Sequence, residues 1–379
     1  MSSSVLRWWA KHRARVLQVA VVLMLVISPH RLGVGFLRLL WEQAPAGAID
    51  LQLRYNEVHK WFAGRPVYKE SGAAVYPPAS YAILWPLLGW LGWAPAQWLW
   101  AATTAVALGW LTYLVVRESC ADALLERLCV GLLPFSMYAT SVAVGNGQLI
   151  VPLLPGWVAG LTLLRGEQRR WHESLLAGLL ILTALVSPTI SAPFFWLVVF
   201  VPRTLWPAAL VSLGYGALTL VAVSFQQATP ASLVHAWGGR AAGGASWGSA
   251  HGGYANLHTW LAAFGLETWN RSTSLLVLAA LGGWVYRHRH VDLWALLGVA
   301  ALASRLWTYH GLYDDLLILV PMVALFRAAK RRPSADGEGV VAGVLLAAGW
   351  VAVLSPPACL ISRRRGTGCS RRNRRACGG

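Results

Sequence analysis

Residues able to do acid–base or ionic chemistry are scarce in this chain, so their spacing is informative. Asp and Glu together number 15 in 379 residues. One of them, Asp50, is followed by Arg54, Tyr55, Lys60, Arg65, Tyr68 and Lys69. A carboxylate among several bases and phenols suits a general base at an anion-binding pocket. The competing reading is an ordinary interfacial carboxylate paired with Arg54, one helical turn on.

Other reactive groups suggest less. Asp314 and Asp315 follow Tyr313 at the end of an apolar run and read as capping the N-terminus of the next helix. His235, His251 and His258 share one glycine-rich segment, with no acid spaced among them and no helical i, i+4 pair, so no metal site is expected. The five cysteines include no CxxC pair and imply neither a metal nor a disulfide framework. No glycine cluster follows a predicted strand, so neither a P-loop nor a dinucleotide fingerprint is present.

The elements that must position Asp50 are membrane helices. The chain is 56% hydrophobic and 12% charged, against about 25% charged in soluble domains. Ala79 to Val116 and Leu128 to Leu164 contain no Asp, Glu, Lys or Arg, and Ser174 to Gly239 contains only Arg203. A spanning helix takes about 20 apolar residues, so each run holds more than one crossing. There are 22 tryptophans. Trp8, Trp9, Trp41, Trp93, Trp171, Trp206 and Trp294 lie near the ends of apolar runs, as aromatic belts at bilayer interfaces would. The net charge of +17 sits in short loops and the C-terminal tail, which membrane topology explains better than a nucleic-acid footprint.

Spans are expected at 16–40, 96–116, 128–144, 148–164, 174–188, 190–202, 205–224, 272–287, 291–308, 313–329 and 338–355. The basic N-terminus (Arg7, Lys11, Arg13, Arg15) precedes the first, with no prompt cleavage site, so that span reads as uncleaved. Basic clusters at 7–15, 165–170, 287–289 and 327–332 all fall on one side, taken as cytoplasmic. The polar segment 41–78 and the glycine-rich segment 225–271 are then external, the latter expected to be a mobile loop that could gate substrate. The segment 79–93, holding Pro86, reads as re-entrant or interfacial, because a full crossing would invert everything after it. The domain plan is a membrane domain over 1–355 and a basic, disordered tail over 356–379.

Four elements taken in order resemble the family 87 glycosyltransferases, polyprenyl-phosphomannose-dependent mannosyltransferases of the GT-C type. They are Asp50-x4-Tyr55 with Gly64-x3-Tyr68 and Tyr76-Pro77-Pro78; Gly145-Asn146-Gly147-Gln148; Ser187-Pro188, where the family often has Lys-Pro; and Ser304-Arg305-Leu306-Trp307-Thr308-Tyr309-His310. The resemblance spans roughly residues 15–330. It implies an all-α, polytopic GT-C-like bundle in the plasma membrane, with its N-terminus cytoplasmic and its active face external.

The resemblance also implies a reaction. A hexose, with mannose expected, passes with inversion from polyprenyl phosphate to a lipid or glycan acceptor of the cell envelope. Asp50 matches the position of the general base. Inversion needs one base opposite the leaving group, and the phosphate needs positive charge more than a proton. Arg54, Lys60, Arg65, Arg240 and Arg305 are candidates for that charge, with snorkelling to the interface as the alternative for each. His310 would contact phosphate or acceptor; Tyr55, Tyr68, Tyr76 and Gln148 complete the expected substrate-binding set. No cofactor or metal is called for, and the partners are the lipid-linked sugar, the acceptor and membrane lipids, not nucleic acid. Ser187 stands where the family usually has Lys, so the phosphate contact the resemblance implies there is not expected of this chain. The rival class is a transporter or flippase, which many Gly- and Pro-broken spans would also suit. Against it stand the absence of internal repeats and the long segment 41–78.

Overall fold

In hydrocarbon the backbone must bond to itself, and runs this apolar leave helix as the available form. The computed structural model describes residues 3–42, 46–166, 170–202, 204–251, 256–308, 310–331 and 338–354. Among them there are α-helices and two 3₁₀ turns, with no strand. In chain order the helices begin with α1 (Ser3–Leu40), α2 (Ile49–Phe62), α3 (Val67–Glu70), α4 (Pro78–Leu88), α5 (Trp93–Glu118) and α6 (Leu124–Ser136). Next are α7 (Tyr138–Asn146), α8 (Ile150–Arg165), α9 (Trp171–Ala184), α10 (Pro188–Phe200), α11 (Trp206–Ser224) and α12 (Pro230–His251). The last are α13 (Leu257–Ala263), α14 (Asn270–His288), α15 (Leu293–Leu306), α16 (Leu319–Arg331) and α17 (Glu338–Leu354). The 3₁₀ turns are Glu267–Trp269 and Leu312–Ile318. The chain is a polytopic helical bundle.

Helix starts and stops follow local chemistry. Proline opens α4, α10 and α11, where its missing N–H costs nothing. Asn256 caps α13 through the Thr259 N–H at 2.9 Å, and Asp292 caps α15 through the Trp294 N–H at 3.0 Å. Three helices are long and apolar enough to cross a membrane: Ala14–Leu40, Trp93–Glu118 and Trp206–Ser224. Most of the other expected spans correspond to shorter apolar helices. The 16 residues of α8, for example, reach roughly 24 Å at 1.5 Å per residue. The 11 residues of α4 reach about 16 Å, roughly half a hydrocarbon core of ~30 Å.

Four expectations need correction. The run 128–144 is two helices: α6 and α7 meet at Met137 with a 44° bend. Pro134 lies inside α6 and removes a backbone donor there. The run 313–329 begins as the 3₁₀ turn Leu312–Ile318 and becomes α-helix only at Leu319. The glycine-rich part of 225–271 is mostly the helix α12 rather than a loop. Its glycines cost about 1 kcal/mol each as helix formers, but tertiary bonds hold it: Trp237 Nε1–H donates to the Val75 carbonyl at 2.9 Å, and Arg240 binds the backbone of α3. Trp294, expected in an interfacial belt, is 1% exposed and belongs to the core, whereas Trp41, Trp171 and Trp206 are exposed. Trp93 is only half-buried and packs on Tyr55. The side chains of Trp8 and Trp9 and the tail 356–379 lie outside the described residues.

One glycine is required by geometry. Gly147 ends α7 with φ +71, in the left-handed region. A Cβ there would lie 2.5 Å from Leu51 Cβ on α2. Left-handed backbone costs a non-glycine residue about 1–2 kcal/mol, and overpacking adds about 1–3. Gly147→Ala should therefore lower the thermal unfolding temperature in detergent by several degrees. Gly72→Ala, at an exposed position with open space around the new methyl, should leave it unchanged.

Candidate functional site

The site is assembled where three chain segments meet: the start of α2, the junction of α7 with α8, and the 3₁₀ turn Leu312–Ile318. The α7–α8 junction carries Gly145-Asn146-Gly147-Gln148, and each part of it has a job. The Gly145 carbonyl accepts the Ala48 N–H at 2.8 Å, which fixes the entry to α2. Gly147 lets α2 approach. Gln148 is then directed at Asp50, and its Nε2–H donates to Asp50 Oδ2 at 2.5 Å. Asp50 sits in the first turn of α2, half-buried, where the helix N-terminus favours negative charge.

The 3₁₀ turn supplies two adjacent carboxylates, each loaded with one base. Asp315 Oδ1 accepts Arg305 Nε–H at 2.6 Å, and its Oδ2 accepts the Tyr138 hydroxyl. Asp314 Oδ2 pairs with His310 Nδ1 at 2.8 Å and also accepts the Gly311 N–H at 3.2 Å. All four of these side chains are buried. Buried ions persist only when paired; both oxygens of Asp315 are engaged, whereas Arg305 Nη1, His310 Nε2 and Asp314 Oδ1 have no protein partner. The turn before Arg305 is held firmly. Ser304 Oγ–H donates to the Ile190 carbonyl at 2.7 Å, and Trp307 Nε1–H to the Thr189 carbonyl at 2.6 Å.

Asp314 lies close enough to Asp50 for their charges to interact. Burial pushes the Asp50 carboxyl up to about 6; Arg54 and the Gln148 bond pull it down, and Asp314 adds to the rise. A carboxylate with that value is ionised at neutral pH yet basic enough to take a proton. His258 is a further neighbour of His310; burial lowers its pKa, the Asn270 backbone bond opposes this, and His310 adds to the lowering. Its Nε2 is 2.8 Å from Ser274 Oγ.

Of the residues expected from sequence, Asp50, Gln148, Arg305 and His310 come together. The others are employed elsewhere. Arg54 does not pair with Asp50: its Nη1 meets Glu57 at 2.6 Å, its Nη2–H donates to the Ala73 carbonyl at 3.1 Å, and its guanidinium lies 4.4 Å from the centre of the Tyr76 ring. Glu57 and Arg54 both lie on the buried face of α2, so the nearer carboxylate wins. Burial raises Glu57 to about 7, against the pull of Arg54, Ser71, Tyr81 and Lys60. Tyr68 donates its hydroxyl to the Tyr76 carbonyl at 2.7 Å and packs against Trp61. Arg240 Nε–H donates to the Tyr68 carbonyl at 2.5 Å, which makes it a brace between α12 and α3. Arg65 and Lys60 both bind Glu70, with Arg65 mostly exposed. Tyr55 donates to the Leu91 carbonyl at 3.0 Å and packs on His59 and Trp93. Ser187 precedes α10 and lies 3.3 Å from Thr189 Oγ1.

Sequence reasoning missed Glu57, Tyr138, Asp314 and Asp315 as members of these networks. Capping explains only the Gly311 bond of Asp314; it does not explain Asp315. The available signal was two consecutive acids a few residues after Arg305 and His310, at the head of an apolar run where an unpaired charge is expensive. Nothing local marks Tyr138, whose partner is 177 residues away.

The family model described as Glycosyltransferase family 87 matches residues 74–308, more than half of the chain. The match includes Tyr76, Gln148, Arg240 and Arg305, while Asp50 precedes it and His310 follows it. Neither a curated protein nor a solved structure matches the chain. Family membership sets aside the transporter alternative and implies a sugar donor and an acceptor as substrates. This chain, a bundle of apolar helices, is therefore a membrane glycosyltransferase and belongs to glycosyltransferase family 87.

Proposed function

We propose that the chain transfers a hexose, with mannose the first candidate, from a polyprenyl-phosphate donor to a lipid or glycan acceptor at the outer face of the plasma membrane. The observation that carries this reading is that Asp50 lies within charge interaction of Asp314, the partner of His310, while Arg305 holds the adjacent Asp315, and Arg305 Nη1 and His310 Nε2 have no protein partner. Asp50 takes the proton from the acceptor hydroxyl as its oxygen attacks the anomeric carbon. The bond from that carbon to the phosphate oxygen breaks, its electron pair leaves with polyprenyl phosphate, and the configuration inverts. In this reading Arg305 Nη1 and His310 Nε2, neither with a protein partner, receive the charge that develops on the phosphate, and fixed donors of this kind are effective because they need no reorganisation. Arg54, Arg65 and Arg240 are occupied by other partners, which narrows the phosphate site to the pair on the far side of the cluster.

Asp50→Asn should abolish transfer from a radiolabelled polyprenyl-phosphate mannose in isolated membranes, by about 10²- to 10⁴-fold, with expression and thermal stability intact. Wild-type turnover in that variant would remove the assignment. The reading also fixes the pH profile. The base must be ionised, so kcat/KM should fall as pH drops through about 6; a profile flat from pH 5 to 8 would contradict it.

In this reading the N-terminus is cytoplasmic, the chain crosses the membrane several times and α2 lies outside. Lys69→Cys, at an exposed position on α3, should react with an impermeant maleimide on intact cells, above the wild-type background. Reaction only after lysis would reverse the orientation.

A further inference from the structure

Arg31 is an ionisable residue well inside the apolar stretch Ala14–Leu40 of α1. Charge at such depth is costly and is kept where it has a task. Its guanidinium binds two backbone carbonyls from distant elements: Nη1–H donates to Ser136, the last residue of α6, and Nη2–H to Leu354, the last residue of α17, at 2.7 Å. The Ser136 carbonyl has no onward helical partner, because the Thr140 N–H turns to the Met137 carbonyl. In return, Ser141 on α7 donates its hydroxyl to the Arg31 carbonyl at 2.8 Å. One turn up α1, Gly35 admits α7 at close range, where a Cβ would lie 3.1 Å from the Ser141 carbonyl oxygen. Arg38 then reaches Asn146 Oδ1 at 3.4 Å. The outer half of α1 thus grips α7 along its whole length.

What α7 carries explains the grip. Its nine residues span only about 13 Å, and both ends touch the site. Tyr138 at the start bonds Asp315, and Gln148, just past the end, bonds Asp50. α7 packs chiefly against α1, with lesser contact to the 3₁₀ turn Leu312–Ile318 and to the neighbouring helices.

We propose that Arg31 is a positioning residue for the transfer reaction: clamped across the carbonyls of Ser136 and Leu354, it fixes the axial place of α7, the strut that holds Tyr138 on Asp315 and Gln148 on Asp50 at the same time. The inference rests on the proposed glycosyl transfer at Asp50 and adds to it a residue that touches no substrate. Arginine suits the task because its planar fork reaches two acceptors in fixed directions; a lysine ammonium is a single point.

The test is a kinetic comparison on membranes, with polyprenyl-phosphate mannose as donor, of Arg31→Leu, Arg31→Lys, Gln148→Ala and Asp50→Asn. Displacing the strut should lower kcat in Arg31→Leu between about ten- and a hundredfold, since small misplacement from a distance carries costs of that size, while the donor KM stays within about threefold of wild type. The acid limb of the pH profile should also move upward, in the same direction as in Gln148→Ala, because loss of the Gln148 bond removes one of the influences that lower the Asp50 value. Arg31→Lys should lie between wild type and Arg31→Leu. Wild-type kcat in Arg31→Leu overturns the proposal, and so does a fall in kcat with the acid limb unmoved, which would mark general damage. If Arg31→Leu fails to insert, Ser141→Ala loosens the same joint more gently, and an unmoved limb there overturns the proposal equally. An active Asp50→Asn would instead sink the underlying transfer reading.

Discussion

A helix that breaks inside hydrocarbon releases carbonyl groups that water cannot reach, and each must find a donor within the protein. The break between α6 and α7 is where this requirement acts most strongly. Ser136 Oγ–H and the Met137 N–H both go to the Leu133 carbonyl, Thr140 Oγ1–H to the Pro134 carbonyl at 2.5 Å, and the Arg31 guanidinium to the Ser136 carbonyl. With the carbonyls of Leu133, Pro134 and Ser136 engaged, the chain changes direction by 44° within the bundle. That change of direction brings the Gly147–Gln148 corner under the first turn of α2. Without it, α6 and α7 would continue as one span and Asp50 would face apolar helix.

The two halves of the site are built on different principles. Asp50 is half-buried, reachable, and held by a single neutral donor, so it can gain a proton without breaking an ion pair. The opposite half is more deeply buried and tightly paired: Arg305 with Asp315, His310 with Asp314, and the half-buried Tyr138 joining them. Buried pairs add little net stability, but they hold their members in fixed directions, as stabilisation of a developing charge requires. The Arg54–Glu57 pair does the same structural work for α2 and the segment that follows it, with Tyr76 closing over the guanidinium.

Much of this was legible in the sequence, for identifiable reasons. Charge-free runs dictate helices, and Asp50, Gln148, Arg305 and His310 stood out by position within an ordered set of motifs. What could not be read was partner choice. Arg54 lies four residues from Asp50 and three from Glu57, both within helical reach, and only burial of the Glu57 side of α2 decides between them. The helix α12 was hidden by its glycines, because the bonds that stabilise it come from Val75, Tyr68 and Lys69, more than 160 residues earlier. The split of 128–144 was hidden because Pro134 is as apolar as its neighbours and shows its effect only through a missing donor. Trp294 looks like a belt residue by its place at a run's end, yet α15 turns that end inward.

The long separations within the site bear on how the protein is made. Asp50 and Gln148 are 98 residues apart, and Tyr138 and Asp315 are 177 apart. A chain emerging from the ribosome completes the first contact when its fourth hydrophobic segment is inserted, but it lacks Arg305, His310 and both aspartates until most of the remaining helices have followed. Throughout that interval Asp50 and Gln148 exist without the groups to which the proposed reaction assigns the phosphate. Under the proposed reaction, the two halves of the site would be complete only once the late helices have been integrated.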